Sequence, residues 1–189
     1  MEHSANTVVG TACRLLSHPK AERIEGFPLQ VPMIFQAENE KERRDQLEKY
    51  GVLNTYEQLL DVDVVVTGIG PFDGSSAAAV LSQRLSELGR NVETLEELRQ
   101  AGGVFDILYQ VADKEAFPVK CRLNEFVVGI PLERLKQMKA SDEKRVIAIA
   151  GGKNKVEAII AARRCYDTLI TDEMTAREID GLMQSQIKQ

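Results

Sequence analysis

A lysine pair beside a glycine turn is the clearest candidate in the sequence for binding an anion. The stretch VIAIAGGKNKVEAI (residues 146–159) ends an apolar run at two glycines, places Lys153 and Lys155 next, and resumes with a helical pattern. Such a turn brings free backbone N–H groups and a positive helix end to the carboxyl edge of a sheet, where anions bind. We expect Asn154 to cap the helix. A plain tight turn with solvated lysines is the alternative, and the residues alone do not decide between them.

A second glycine turn follows the apolar strand pattern in VTGIGPFDGSS (residues 66–76). If the two strands are parallel, Thr67, Gly68 and Gly70 lie at the same sheet edge as the lysine turn. Plain turn formation is slightly favoured for this turn alone. Two glycine turns at one edge nevertheless point to a ligand site more strongly than either does singly.

Three further polar residues stand beside apolar segments. Asp106 lies within an apolar context, where a lone carboxylate must be satisfied by a helix end or a ligand. Asn124 and Glu125 precede an apolar run, and a surface salt bridge to Arg122 is the simple alternative. Acid–base catalysis by Asp106 and Glu125 is conceivable. Their spacing does not distinguish it from hydrogen bonding to a polyhydroxy ligand.

Residues for other chemistry are scarce. The two histidines, His3 and His18, both lie near the N-terminus, which argues against a histidine base or a histidine-rich metal site. The three cysteines share no close spacing, which favours reduced structural thiols over disulfides or a zinc cluster. We therefore expect no metal and no cofactor.

The overall composition is that of one globular chain. Its 189 residues, 43% hydrophobic and 28% charged, suit a single domain over residues 1–189. A net charge of −5 argues against nucleic-acid binding by this chain itself. No apolar stretch approaches the roughly 20 residues of a membrane span, and the start lacks a signal-peptide pattern. We expect a cytoplasmic protein with no membrane partner.

The apolar patterns predict an α/β fold with a mainly parallel sheet. Residues 62–70 and 145–152 are typical of strands buried on both faces, and the last third alternates strand and helix. Asn54 and Glu57 have the spacing of a capping box, and Asp172 is most simply the N-cap of the last helix. Residues 104–113 do not distinguish strand from helix. Further helices are expected at 5–17, 37–51, 75–89, 92–103, 131–138, 155–165 and 174–187, short strands or extended segments at 27–35, 117–123, 125–130 and 167–173, and a frayed tail at 184–189.

Five motifs carry a resemblance to a known family. VVVTGIG, GGVFDIL, NEFVVGIPLERLK, VIAIAGGKNKVEAI and LITDEMTA occur in the order, and near the spacing, found in the SorC family of bacterial sugar-responsive transcription regulators. The chain resembles their effector-binding domain from about Asn6 to about Leu182. The resemblance implies a Rossmann-like three-layer fold related to the sugar-phosphate isomerases and CoA transferases. It also implies a phosphorylated sugar effector at the carboxyl edge of the sheet.

The resemblance assigns roles to the candidate residues. The family's A-G-G-x-x-K motif falls on Ala150, Gly151, Gly152 and Lys155, which implies that Lys155, rather than Lys153, contacts the effector phosphate.

The remaining assignments concern the sugar. The family's acid falls on Asp106 and its N-E pair on Asn124 and Glu125, which implies hydrogen bonds to sugar hydroxyls, with Thr67 to Gly70 on the pocket floor. Phe105 departs from the glycine usual before the acid, so the pocket wall is expected to differ. The family's helix-turn-helix, first strand and phosphate-holding turn precede the matched region. We therefore expect either an excised or truncated piece or a free-standing protein with a reduced pocket, with no DNA-binding element in these 189 residues.

Three functions follow from these expectations. The first is a non-catalytic module that senses a sugar phosphate and forms a homo-oligomer with like subunits. The second is an aldose–ketose isomerase on the same fold, with Asp106 or Glu125 as base and Lys155 on the phosphate. The third is a remnant whose pocket binds nothing.

Overall fold

The computed structural model describes residue 37 and residues 40–187, in which pairs of helices and pairs of strands precede a last third that alternates strand and helix. The predicted helix at 5–17 and extended segment at 27–35 lie outside these residues. The helices are α1 Glu40–Lys49, α2 Leu53–Leu60, α3 Ala77–Glu87, α4 Leu95–Gln100, α5 Arg122–Phe126, α6 Leu132–Lys139, α7 Val156–Ala161 and α8 Glu173–Ile187. The strands are β1 Val64–Thr67, β2 Gly70–Pro71, β3 Phe105–Ile107, β4 Gln110–Ala112, β5 Arg145–Ile149 and β6 Thr168–Ile170. Two 3-10 turns, Lys153–Lys155 and Ala162–Arg164, flank α7.

Two small sheets organise these elements. The first is parallel, with strand order β1-β5-β6, and Thr67 pairs with Ala148 where β1 ends. The second is antiparallel, with order β2-β3-β4, and Gly70 pairs with Asp106. The α/β class, the parallel sheet and the strand–helix alternation of the last third are confirmed. Residues 104–113, which the sequence left undecided, form a β-hairpin.

The main core lies on one face of the parallel sheet. Val65, Val146 and Ala148 point into it from the strands and are almost completely buried. Helices α6 and α7 cover this face with apolar side chains such as Leu135 and Ile159. Removing this apolar surface from water stabilises the fold by about 25 cal/mol per Å².

The opposite face of the parallel sheet is exposed, so the expected burial on both faces is wrong. Val64, Val66, Ile149 and Ile170 are each between 51% and 59% exposed. Their register places them on neighbouring strands of the same face. Within residues 40–187, the helices that pack on the sheet core, α6 and α7, lie on the other side.

Residues 117–130 contain a helix where two strands were predicted. Helix α5 begins after Cys121, and a carboxylate from another segment satisfies its first amides. Glu93 accepts hydrogen bonds from the backbone N–H groups of Arg122 at 3.0 Å and Leu123 at 3.4 Å. Free N–H groups at a helix start need such an acceptor. The prediction missed it because Glu93 is distant in sequence.

The start of helix α2 also differs from the predicted cap. Helix α2 begins at Leu53, and Val52 precedes it without a side-chain cap, so the capping box expected from Asn54 and Glu57 is wrong. Glu57 instead forms an ion pair with Arg44 of α1.

Candidate functional site

A cavity of about 410 Å³ lies where β1 ends, α3 begins and the β3–β4 hairpin turns. Five of the nine sequence-predicted site residues line it: Thr67, Gly68, Gly70, Asp106 and Lys155. The other lining residues are Ile69, Pro71, Ser75, Ser76, Ala77, Leu108, Tyr109 and Asn154. The cavity lies at the carboxyl end of β1, where open α/β sheets bind ligands.

Asp106 is the buried acidic group of this cavity. It lies on β3 and is only 3% exposed, and its Oδ2 accepts a hydrogen bond of 2.8 Å from the backbone N–H of Ala78 in the first turn of α3. Burial raises the pKa of Asp106, while the Ala78 N–H and the positive charge of Lys155 act in the opposite direction. The carboxyl therefore closes the start of a helix and also faces the cavity.

Gly70 makes room for this carboxyl. It lies opposite Asp106 in the β2–β3 pair, and a Cβ at position 70 would overlap Asp106 Oδ1. Thr67 lies three residues earlier in the chain, at the end of β1, and its hydroxyl donates a 3.2 Å hydrogen bond to the carbonyl of Gly68. The glycine turn thus has a packing reason as well as a place on the cavity wall.

Lys155 is the basic group of the cavity. It is half-buried at the end of the 3-10 turn, whereas Lys153 is exposed and does not line the cavity. Lys155 forms no ion pair with any residue that the structure describes. Its ammonium is therefore available to an anionic ligand.

The helix start around Lys155 differs from the expectation. Gly152 adopts a φ of 108°, and the N–H of Lys155 donates to the carbonyl of Gly152 at 2.9 Å, which forms a 3-10 turn. Helix α7 then begins only at Val156, with Lys155 as its cap residue and no side-chain cap. The predicted cap by Asn154 is wrong, and Asn154 lines the cavity instead.

The glycine bend is closed by the start of α8. The N–H of Gly152 donates to Thr175 Oγ1 at 2.7 Å and to Asp172 Oδ2 at 3.1 Å. Asp172 also accepts from the N–H of Thr175 at 2.9 Å, so its predicted role as the N-cap of α8 is confirmed. The expected free N–H of Gly152 is therefore wrong. We call Gly152, Asp172 and Thr175 the α8 clasp.

The charge of Asp172 also bears on where an anion can bind. Hydrogen bonds from the backbone and side chain of Thr175 hold the pKa of Asp172 below its ordinary value. The carboxylate is therefore ionised at neutral pH and repels an anion at the bend itself. An anionic group is therefore better accommodated at Lys155 than at the bend.

A second, smaller cavity of about 280 Å³ lies on the other side of Lys155. Gly151 lines it, together with Thr171 and Asp172. The hydroxyl of Thr171 is buried and has no hydrogen-bond partner among the described residues. Lys155 thus lies between two cavities at the carboxyl edge of the parallel sheet.

Asn124 and Glu125 lie outside both cavities. The side-chain amide of Asn124 donates to the carbonyls of Val111 at 2.9 Å and Val119 at 2.7 Å, and its Oδ1 accepts from the N–H of Val111 at 2.8 Å. The side chain of Glu125 is exposed on α5. The geometry gives Asn124 a role in holding β4 in place.

Sequence reasoning missed two groups of cavity residues. Ser75 and Ser76 belong to the turn that precedes α3. A serine before a helical pattern is a signal for a helix cap, and Ser76 Oγ does accept a hydrogen bond of 3.2 Å from the N–H of Ala79. Leu108 and Tyr109 form the hairpin turn. The position of this turn depends on the pairing of β3 with β4, which the apolar pattern of residues 104–113 does not predict.

The site combines one cation, one buried carboxyl and several small polar groups. This combination suits a polar ligand with an anionic group and hydroxyls. Over residues 40–187, no group of three or more metal-ligating side chains occurs. Within the same residues, no helix is long and apolar enough to cross a membrane.

Comparisons with known proteins agree on one kind of domain. Residues 3–179 match the model of a family described as "Putative sugar-binding domain". A curated relative, the erythritol catabolism regulatory protein EryD of Brucella abortus (strain 2308), is 30% identical over 168 residues, covering 87% of this chain and 49% of that protein. The chain therefore spans about half the length of this relative.

Solved structures share the fold. A DeoR family transcriptional regulator from Listeria monocytogenes aligns with a TM-score of 0.61 at 25% identity, covering 80% of this chain and 57% of that one. The full-length sorbitol operon regulator SorC from Klebsiella pneumoniae aligns with a TM-score of 0.54 at 22% identity, covering 72% and 42%. The Rossmann-like fold implied by the resemblance is confirmed.

Proposed function

Because the chain belongs to the family of sugar-binding domains that its residues 3–179 match, we propose that it is the effector-binding part of a transcription regulator and binds a phosphorylated sugar. The observation that carries the proposal is the position of Lys155 and Asp106 on one cavity. The ammonium complements a phosphate, and the carboxyl and the nearby hydroxyls suit sugar hydroxyls. Thr67, Gly68 and Gly70 complete the proposed contacts.

The proposed action is non-catalytic. The curated relative is a regulatory protein, and no observation favours the isomerase alternative. A sensor works when its ligand binds one arrangement of the protein more tightly than another, so sugar binding alone is sufficient. We also infer a cytoplasmic location, which fits the buried free thiols of Cys121 and Cys165.

A ligand screen tests this proposal. We expect phosphorylated sugars, but not their unphosphorylated parents, to raise the melting temperature, since a ligand at 100 times its Kd stabilises by about 2.7 kcal/mol. In deuterated water, the bound sugar should gain no deuterium at carbon. If every sugar phosphate leaves the melting temperature unchanged, the proposal fails, and deuterium incorporation would revive the isomerase.

Lys155→Ala and Lys153→Ala form a matched pair for the phosphate role. Lys155 lines the cavity and Lys153 is exposed two residues earlier. We expect Lys155→Ala to weaken sugar-phosphate binding by about tenfold or more, because a charge-assisted contact is lost. Lys153→Ala should bind as the wild type does. Equal affinity of both variants would contradict a contact between the phosphate and Lys155.

We further propose that the subunits associate through the exposed face of the parallel sheet. The support is the apolar patch formed by Val64, Val66, Ile149 and Ile170, since exposed apolar patches mark interaction surfaces. We expect Val66→Lys to shift the chain toward the monomer in sedimentation velocity. Val80→Lys is the control, because Val80 is 48% exposed on α3, outside the patch. A monomeric wild type would contradict this.

A further inference from the structure

The β3–β4 hairpin turn has an unusual pair of residues. Ile107 pairs with Gln110, so Leu108 and Tyr109 form a two-residue loop. Both have positive φ, 51° for Leu108 and 67° for Tyr109. Loops of this geometry favour Asn-Gly or similar residues, because a side chain with a Cβ is strained in the left-handed region. A leucine and a tyrosine therefore make this turn less stable than glycine would.

Packing against the core offsets the backbone strain of only one of these two residues. Leu108 is partly buried and packs against the main core cluster, which accounts for its side chain. Tyr109 is 46% exposed and lines the cavity that holds Asp106 and Lys155. A strained backbone at a cavity points to function when folding does not require the residue. Burial in the core gives no reason for a tyrosine at position 109.

We propose that Tyr109 is a specificity-determining residue whose aromatic ring packs against the C–H face of a cyclic sugar; this inference rests on the proposed function. A sugar ring offers a flat patch of C–H groups, and an aromatic side chain supplies a rigid apolar surface with few rotatable bonds. Asp106 precedes Tyr109 by three residues on the same hairpin, and Lys155 lies on the same cavity. The cavity thus offers three different contacts, to ring carbons, hydroxyls and phosphate. Open-chain sugar alcohols lack the flat face and gain less from the ring.

Binding to matched cyclic and open-chain ligands tests this inference. The probes are glucose 6-phosphate, fructose 6-phosphate and the open-chain sorbitol 6-phosphate, measured by calorimetry on the full chain. We expect the wild type to prefer a cyclic probe. Tyr109→Gly should lose about five- to tenfold in affinity for that probe and much less for sorbitol 6-phosphate. Tyr109→Phe keeps the ring and should bind as the wild type does.

The unliganded stability of the variants separates contact from folding. Tyr109→Gly should melt no lower than the wild type, because glycine accepts a positive φ without strain. Ala116→Gly is the control for strain, since Ala116 also has a positive φ of 62° but does not line the cavity, and it should leave sugar affinity unchanged.

The outcomes distinguish this inference from the proposed function. If the wild type binds a cyclic probe and Tyr109→Gly binds it equally well, Tyr109 has no such role while the sugar-binding proposal stands. A wild type that favours sorbitol 6-phosphate also overturns the role of Tyr109. A wild type that binds no sugar phosphate at all overturns both.

Discussion

Three neighbouring groups determine the position and the electrostatic environment of the Asp106 carboxyl. Its Oδ2 accepts from the N–H of Ala78, Gly70 leaves room for Oδ1, and Lys155 supplies positive charge across the cavity. Burial nevertheless raises the pKa of Asp106 above its ordinary value of 3.8. The folded chain therefore holds this proton at a higher pH than the unfolded chain does. Ionising Asp106 at neutral pH opposes folding.

The pH dependence of stability follows from this shift. The free energy of unfolding of the wild type, relative to Asp106→Asn, should be highest in acid and fall as the pH rises above 3.8 through the raised pKa. Urea unfolding at several pH values between about 4 and 8 measures the difference. The comparison cancels contributions shared by both proteins, such as that of Asp172, which is lost as pH falls. A constant difference between the two proteins would contradict the burial effect.

The space at Gly70 gives a second prediction at this scale. Gly70→Ala should destabilise the fold by about 1–3 kcal/mol, because the added methyl overlaps the buried carboxyl of Asp106. Gly68→Ala is the matched control: its Cβ would lie 3.8 Å from the carbonyl oxygen of Ile149, an ordinary contact. Chemical denaturation of both variants measures the difference, and equal losses would argue against a specific clash.

At the scale of single elements, α5 shows how a short segment is fixed by distant groups. Its first amides donate to Glu93, and Asn124 from its middle bridges the carbonyls of Val111 and Val119. Glu93 and Val111 are 29 and 13 residues away in sequence from the groups of α5 that they bind. A five-residue helix has little intrinsic stability, so these long-range contacts decide its conformation.

Asn124→Ala should therefore weaken the fold rather than the ligand site. Removing its side chain takes this partner from the N–H of Val111 and the carbonyl of Val119, while the carbonyl of Val111 keeps its hydrogen bond from the N–H of Val119. We expect a loss of about 1–3 kcal/mol. Glu125→Ala, on the exposed side of the same helix, should change stability by less than about 0.5 kcal/mol. Denaturant unfolding gives the stabilities, and titration with a bound sugar phosphate should show little change for Glu125→Ala. A tenfold loss of affinity in that variant would show that Glu125 contributes to ligand binding.

The sequence predicts the positions of helices and strands better than it predicts which parts of the chain pack around them. The apolar runs predict strands β1 and β5, and the position of Asp172 just before α8 predicts its role as the N-cap of that helix. Thr67 and Lys155 could be placed near one another because parallel strands end at a common edge, whereas Asp106 lies on the antiparallel strand β3 and was assigned to the site only by the family resemblance. The turn at Tyr109 could not, since its register depends on pairing between two three-residue strands. The exposure of Val66 was also missed, because an apolar run gives no information about which layers cover it.

At the scale of the whole molecule, the buried thiols report on global folding. Cys121 and Cys165 are free and buried in different core clusters, which agrees with the predicted structural thiols, while Cys13 lies outside the described residues. Burial raises the pKa of both Cys121 and Cys165 to about 11. At neutral pH both are therefore protonated thiols, which react poorly with thiol reagents.

Thiol labelling should consequently follow unfolding of the domain. In a Cys13→Ser variant, which removes the third thiol, native protein should react slowly with a chromogenic disulfide reagent. Both remaining cysteines should react rapidly in denaturant. Mass spectrometry of the labelled peptides separates the two sites. Fast labelling of either cysteine under native conditions would show that its cluster opens locally.

The α8 clasp has a mechanical consequence for the chain. Gly152 lies three residues before Lys155, and its N–H is held by Asp172 and Thr175 at the start of a 15-residue helix. A ligand that displaces the backbone at Lys155 would strain these hydrogen bonds or shift the start of α8. The start of α8 is thus tied to the backbone beside the proposed phosphate contact, so a movement of Lys155 on ligand binding would reach the last helix.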